Sequence, residues 1–217
     1  MRKRLTKKEK AQVLEILSNL YPNPKTELNW TTSFELLVAV MLSAQTTDVA
    51  VNKVTAELFP VANTPEQMAE LAREELEKHI RRIGLYRNKA KNVLAMSQIL
   101  IDQHEGKVPR TREELEALPG VGRKTANVVL SNAFDIPAIA VDTHVYRVSN
   151  RIGLAAAKDV RKTEEDLMKV IPKKDWKDAH HWIIFHGRRV CAARKPNCDK
   201  CPLEKEKLCL ANINNFQ

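Results

Sequence analysis

The sequence predicts an all-α protein. Capping signals for helix starts recur along its 217 residues, apolar residues repeat at helical spacing, and alternating runs bounded by turn residues are missing. Thr6-Lys7-Lys8-Glu9 fits a capping box, in which a threonine hydroxyl and a glutamate side chain satisfy each other's orphan amides. Val13, Leu14, Ile16, Leu17 and Leu20 behind it form one apolar face. Thr32-Ser33-Phe34-Glu35 is a second box. It opens Phe34–Leu42, a run apolar nearly all round, which predicts a central buried helix. Thr64-Pro65-Glu66-Gln67 combines a cap, a proline at the first helical position and a glutamine three residues after the cap. Gly84 and Gly106 are placed to end helices near residues 74–83 and 87–104. Thr111-Arg112-Glu113-Glu114 starts a short helix, and further helices are expected at about 123–133, 143–153, 160–170 and 175–190. No simple repeat or low-complexity linker interrupts the chain, so any division into two domains is compact, with a cleft rather than a flexible tether.

Composition narrows the partners. Lysine and arginine outnumber aspartate and glutamate by 36 to 27, a net charge of +9 that suits a polyanion. Aromatic residues make up only 5%, which argues against a stacking platform for single strands. No segment approaches the ~20 apolar residues that span a membrane. The basic start Met-Arg-Lys-Arg-Leu-Thr-Lys-Lys has no apolar run behind it, so no secretory signal is expected. The basic run Arg2–Arg4 reads as a solvated end. A cytoplasmic location follows, where four cysteines serve as thiols or metal ligands rather than disulfides.

Residues 118–130, Leu-Pro-Gly-Val-Gly-Arg-Lys-Thr-Ala-Asn-Val-Val-Leu, are the most informative stretch. Gly120 and Gly122 flank one apolar residue, and both are read as letting the backbone turn and approach a ligand closely. Leu118, Val121, Val128 and Val129 can anchor a core while the glycine amides stay outward. Amides at the start of the following helix can bind an anion such as a phosphate. Arg123 and Lys124 place cations at the positive end of that helix, and a residue set against local electrostatics marks a functional site. The alternative is a corner between two helices that only packs.

Lys124 is also a candidate nucleophile. A free lysine, with a pKa near ~10.4, is almost wholly protonated at neutral pH. The helix N-terminus and partial burial favour the neutral amine, which can attack a sugar carbon and form a Schiff base. Otherwise Lys124 is solvated or contacts a phosphate. Val141-Asp142-Thr143-His144 follows eighteen residues later. Asp142 precedes a helical run, so its commoner use is as an N-cap. Its sharper use is as a carboxylate that stabilises positive charge developing on a sugar. An ionised aspartate beside Lys124 would oppose activation of the amine, so the two roles fit best if Asp142 acts on the sugar or accepts a proton.

Cys191, Cys198, Cys201 and Cys209 are spaced C-x6-C-x2-C-x7-C, and no cysteine precedes them. They suit one tetrathiolate site, and zinc and a [4Fe–4S] cluster both accept such ligands. Four unrelated buried thiols is the plainer alternative. Arg188, Arg189, Arg194 and Lys195 surround the first two, and a loop carrying these charges can touch DNA phosphates. His180, His181 and His186 lie among apolar residues and read as structural, so none is assigned to a metal.

With these residues in view, the chain resembles the endonuclease III family, bifunctional DNA glycosylases and abasic-site lyases of the helix-hairpin-helix superfamily. The resemblance covers nearly the whole chain, through Leu42-Ser43-Ala44-Gln45, Ile83-Gly84-Leu85-Tyr86, Leu118–Asn127, Val141–His144, His181–Gly187 and the terminal cysteines. It implies two helical domains with the active site in the cleft between them. One is a six-helix barrel over residues 26–136 that ends with the hairpin. The other joins residues 1–25 to 137–217 and holds a [4Fe–4S] cluster on Cys191, Cys198, Cys201 and Cys209. It makes Lys124 the nucleophile and Asp142 the catalytic aspartate. Gln45 fills the space left by an extruded nucleotide, and Leu85 is a wedge in the duplex. Gly120, Val121, Gly122, Arg123, Arg194 and Lys195 are the further expected DNA contacts. The implied partner is damaged double-stranded DNA carrying oxidised or ring-saturated pyrimidines. The protein is expected to act as a monomer, at the nucleoid of a bacterial cytoplasm.

One departure stands out. The family pattern usually reads C-x6-C-x2-C-x5-C, and the last gap here is two residues longer. Loop length costs little entropy, so ligation need not be lost. Two rival readings remain at this stage. A monofunctional mismatch glycosylase of the same superfamily carries a catalytic glutamate where this chain has Ala39, and this chain keeps Lys124. A non-catalytic helix-hairpin-helix DNA-binding protein would explain the charge and the hairpin but leave Lys124 and Asp142 unused.

Overall fold

The computed structural model describes residues 4–211, and these form twelve α-helices and two short 3-10 turns without a strand. Of the basic N-terminal run, Arg2 and Lys3 lie outside the described residues, and Arg4 is exposed. The chain divides into two compact units, Thr26–Ile136 and a second that joins Met1–Lys25 to Pro137–Gln217.

Seven helices build the Thr26–Ile136 unit: α2 (Ser33–Leu42), α3 (Asp48–Leu58), α4 (Pro65–Glu70), α5 (Arg73–Ile80), α6 (Tyr86–His104), α7 (Arg112–Ala117) and α8 (Arg123–Ala133). α2 runs through the middle, and every residue from Phe34 to Leu42 is buried. It packs against α3, α6 and α8. Such a helix has no wet face to satisfy its amides, so its start is heavily capped. Glu35 is only 4% exposed and accepts the Thr31 amide at 2.6 Å, the Thr31 hydroxyl at 2.7 Å and the Asn63 side-chain amide at 3.3 Å. The Thr32 hydroxyl in turn accepts the Glu35 amide at 3.1 Å. This is the capping box expected from the sequence, extended by a third segment that clamps the helix to the α3–α4 loop.

Three expectations need correction. α3 carries an N-cap, Thr47, but was not anticipated, because only Val51, Val54, Thr55 and Leu58 of its face are buried and its polar residues obscure the stripe. α5 ends at Ile80, three residues before the expected terminus, and Gly84 has no left-handed backbone that would make it a helix stop. On α1 (Lys7–Leu20) the core-facing stripe is narrower than expected: Val13 and Leu17 are fully buried, whereas Leu20 is 40% exposed.

The other unit packs α1, α9 (Thr143–Ile152), α10 (Val160–Val170), α11 (Trp176–Arg189) and α12 (Pro202–Lys205). Its core runs from Leu17 and Tyr21 through Val145, Val148 and Ile152 to Ile183, Phe185 and Leu203. α9 and α11 approach closely at Gly187. A Cβ there would lie 2.9 Å from the Val148 side chain and 3.4 Å from the Cβ of His144, so only glycine fits.

Candidate functional site

α7 and α8 form the hairpin, joined by Leu118-Pro119-Gly120-Val121-Gly122. Leu118 and Val121 are buried and fasten the turn to the core, so Val121 can offer a ligand only its backbone. Beneath the turn the Arg112 side chain donates to the buried Asn127 at 2.8 Å, tying the two helices together. Gly120 has a left-handed backbone, φ +76°, and a Cβ there would fall 2.8–2.9 Å from atoms of the Asn92 side chain. Gly122 departs from the sequence expectation. Its φ of −97° is open to any residue, and a Cβ would meet nothing within 4 Å. The fold itself does not require glycine there.

Gly122 is the N-cap of α8, and no side chain caps that helix. A side-chain cap is present on α1, α2, α3, α4, α7, α9 and α10, whereas α5, α6, α11 and α12 begin, like α8, without one. An exposed, side-chain-free start to an eleven-residue helix is the arrangement that lets an anion approach backbone amides. Arg123 and Lys124 are the first two residues of α8 and both are partly buried. The Arg123 guanidinium stands 3.7 Å from Glu116 on α7, an ion pair across the hairpin.

Gln45 and Leu85 lie in turns of the same unit, and both are exposed, Leu85 at 56%. Both adopt left-handed backbone, φ 55° and 58°, although neither is glycine. For a bulky side chain that conformation is strained and marks a position held by its surroundings. One contact that sequence reasoning missed lies between these turns. Lys89 is buried and donates to the Leu42 carbonyl and the Thr46 hydroxyl, each at 2.8 Å. Its register was the signal, since Lys89 shares a helix face with Val93, Met96 and Leu100.

Asp142 belongs to the other unit and is the N-cap of α9. Its Oδ1 accepts the Val145 amide at 2.7 Å, and its Oδ2 lies 3.3 Å from His144 Nδ1. Both readings of Asp142 therefore share one geometry: the cap fixes the carboxylate while leaving it 22% exposed. The chain leading to it is buried at Ala138–Val141, where the Ala140 carbonyl meets His180 Nδ1 at 2.7 Å. His180 thus holds the backbone that leads to Asp142.

Arg147 and Arg151 continue down α9 at four-residue spacing and were not singled out from the sequence. Arg147 donates to the carbonyls of Gly187 and Cys191, both at 3.1 Å. Arg151 donates to the carbonyls of Ala192 and Ala193 at 2.7 and 2.8 Å and reaches Cys191 Sγ at 3.7 Å. The helix that starts at Asp142 therefore grips the segment where the cysteines begin.

The four cysteines line one small cavity together with Arg151 and His186. Burial pushes the thiols of Cys198 and Cys201 up and that of Cys209 to about 11. Among the described residues no group of three or more histidine, cysteine, aspartate or glutamate side chains is arranged to hold a metal ion. The longer gap before Cys209 is taken up by α12 and a left-handed turn at Lys207, after which the Leu208 amide returns to the Leu203 carbonyl at 2.8 Å. Cys209 consequently still reaches the common cavity. His186 is more than core filling: its Nδ1 lies 3.3 Å from the Tyr21 hydroxyl and its Nε2 3.5 Å from Cys201 Sγ. Arg194 and Lys195 are exposed on the loop between Cys191 and Cys198, whereas Arg189 stacks on the rings of Tyr21 and Phe185.

Comparison with known proteins agrees with this architecture. Residues 38–173 match the HhH-GPD superfamily of base excision DNA repair proteins. Endonuclease III of Escherichia coli (strain K12) is 57% identical over 198 residues, which cover 90% of this chain and 94% of that one. A solved non-covalent endonuclease III–DNA complex is 51% identical, with a TM-score of 0.90 over 95% of this chain and 96% of that one. A trapped endonuclease III–DNA covalent intermediate is 50% identical, with a TM-score of 0.93 over 98% of this chain and the whole of that one. The chain belongs to the HhH-GPD superfamily of base excision DNA repair proteins and, within it, to the endonuclease III family.

Proposed function

We propose that this chain, a base-excision DNA glycosylase with abasic-site lyase activity, removes oxidised or ring-saturated pyrimidines from duplex DNA using Lys124 as its nucleophile. The observation that carries this reading is a lysine at the second position of a helix that begins on an exposed glycine with no side-chain cap. The amides of that first turn hold a strand phosphate and so place the amine beside the sugar.

A base stacked in a duplex is out of reach, so the nucleotide is extruded before reaction. Gln45 and Leu85 take the space it leaves, which suits their exposed, left-handed turns. The neutral Lys124 amine attacks C1′, the N-glycosidic bond breaks and its electron pair leaves with the base. Asp142 stabilises the cationic sugar and accepts a proton. The nitrogen, now bonded to C1′, gives up a proton, the C1′–O4′ bond breaks and O4′ takes up a proton, which opens the ring to a Schiff base. Loss of a proton from C2′ of that Schiff base expels the 3′ phosphate and nicks the strand, and water then hydrolyses the imine to free Lys124.

We further infer that Cys191, Cys198, Cys201 and Cys209 hold a [4Fe–4S] cluster. The four cysteines line one cavity and offer the all-thiolate donor set that such a cluster takes, so these are the residues that would hold it. When bound, the cluster supplies structural cross-linking near Arg194 and Lys195, and the excision chemistry needs no electron from it.

Purified protein should be brown with about four irons per chain. Stoichiometric zinc without iron after anaerobic purification would contradict the cluster.

Gly122→Val should still fold, because its Cβ meets only open space, with a midpoint lowered by no more than the modest cost of a poorer N-cap, yet weaken binding to every duplex by about ten- to a hundredfold, the scale of a lost contact to a charged group. Wild-type affinity in that variant would remove the hairpin as the anchor.

Lys124→Gln should bind damaged duplex but neither release base nor nick. Asp142→Asn keeps the α9 cap, since asparagine caps as well as aspartate, so its fold should survive while turnover falls by ~10²-fold or more. Base release by Lys124→Gln at the wild-type rate would overturn the assignment of the nucleophile.

A further inference from the structure

We propose that Lys89 is a positioning residue that joins the turn of Gln45 to the turn of Leu85 and holds both in register before DNA arrives. The proposal rests on the reading of those two residues as the groups that replace an extruded nucleotide.

Two turns with exposed side chains in left-handed backbone need something to hold them. Leu85 is the sharper case: a leucine gains nothing from 56% exposure and is disfavoured at φ 58°. Lys89 lies in the first turn of α6, where its amide donates to the Leu85 carbonyl at 3.0 Å. Its side chain reaches the other turn on both sides of Gln45. Nζ donates to the Leu42 carbonyl, three residues before, and to the Thr46 hydroxyl, one residue after. Leu42 is the last residue of α2, so the ammonium also meets the negative end of that helix's dipole. One residue therefore fixes three points around the two strained positions.

Stability alone does not account for this arrangement. Lys89 is only 7% exposed, and both acceptors of its ammonium are neutral. A buried charge held by neutral groups is costly, and an apolar side chain of similar volume would pack at least as well. Enclosed in this way, the amine cannot reach a sugar carbon, which separates its role from that of Lys124. Gln45 and Leu85 can act as a pair only if their turns keep a fixed spacing, and Lys89 is the side chain that spans them.

Lys89→Met keeps the length of the side chain and removes its charge and donors. Its unfolding midpoint should stay level or rise. Amide exchange in residues 43–47 and 84–86 should quicken, and base removal from a damaged duplex should slow by about tenfold while nicking of a preformed abasic site changes within about twofold. Thr46→Val removes only one acceptor and should shift the same readouts less. In a Gln45→Ala Leu85→Ala background, Lys89→Met should add nothing, because its effect passes through those side chains. A wild-type rate of base removal in that double variant overturns the reading of Gln45 and Leu85, and the proposal with it. A slow double variant beside a Lys89→Met protein with wild-type exchange and rate overturns the proposal alone. So does an equal loss on both substrates, or a further loss in the double background.

Discussion

The start of α8 is the constraint on which the Thr26–Ile136 unit is organised. Most long helices of this protein begin on a threonine or aspartate that satisfies their first amides. α8 begins on Gly122, which has no side chain to offer and no internal reason to be glycine. Such a start has to be held rigidly by what lies behind it. Leu118 and Val121 pin the turn, Asn92 fills the space beneath Gly120, Arg112 ties α7 to α8 through Asn127, and the buried α2 backs the whole helix. The Glu35 cap that seals α2 therefore contributes to the hairpin from a distance, through packing rather than contact.

The same economy of design operates in the other unit. Asp142 caps α9 and is fixed by that cap, so one side chain serves both fold and proposed chemistry. One turn apart on α9, Arg147 and Arg151 hold the carbonyls of Gly187, Cys191, Ala192 and Ala193. Gly187 makes this close packing of α9 on α11 feasible.

Much of the helical architecture was legible because it depends on local rules. The boxes at Thr6 and Thr32 and the hairpin between α7 and α8 follow from short-range chemistry that a sequence states openly. α3 was missed because its apolar stripe is thin, and α5 was overextended because Gly84 resembles a helix stop without adopting its backbone. The candidate site stands out in the sequence where a residue type is unusual for its place, as with Lys124 at a positive helix end and four clustered cysteines. Lys89, Arg147, Arg151 and His186 were not legible. Each acts through a partner brought near by tertiary packing, and only the register of Lys89 on an apolar face hinted at it. The sequence pattern assigns Gly122 conformational freedom. The structure shifts its meaning to open space in front of the helix.

The central claim is that the amine of Lys124 forms the covalent bond to DNA. Borohydride reduction during reaction with a damaged duplex, followed by proteolysis and mass spectrometry of the crosslinked peptide, tests it most directly. The account predicts one adduct, on the peptide that contains Lys124, in an amount that follows strand cleavage. An adduct on any other amine, or full cleavage with no trapped species, would contradict it.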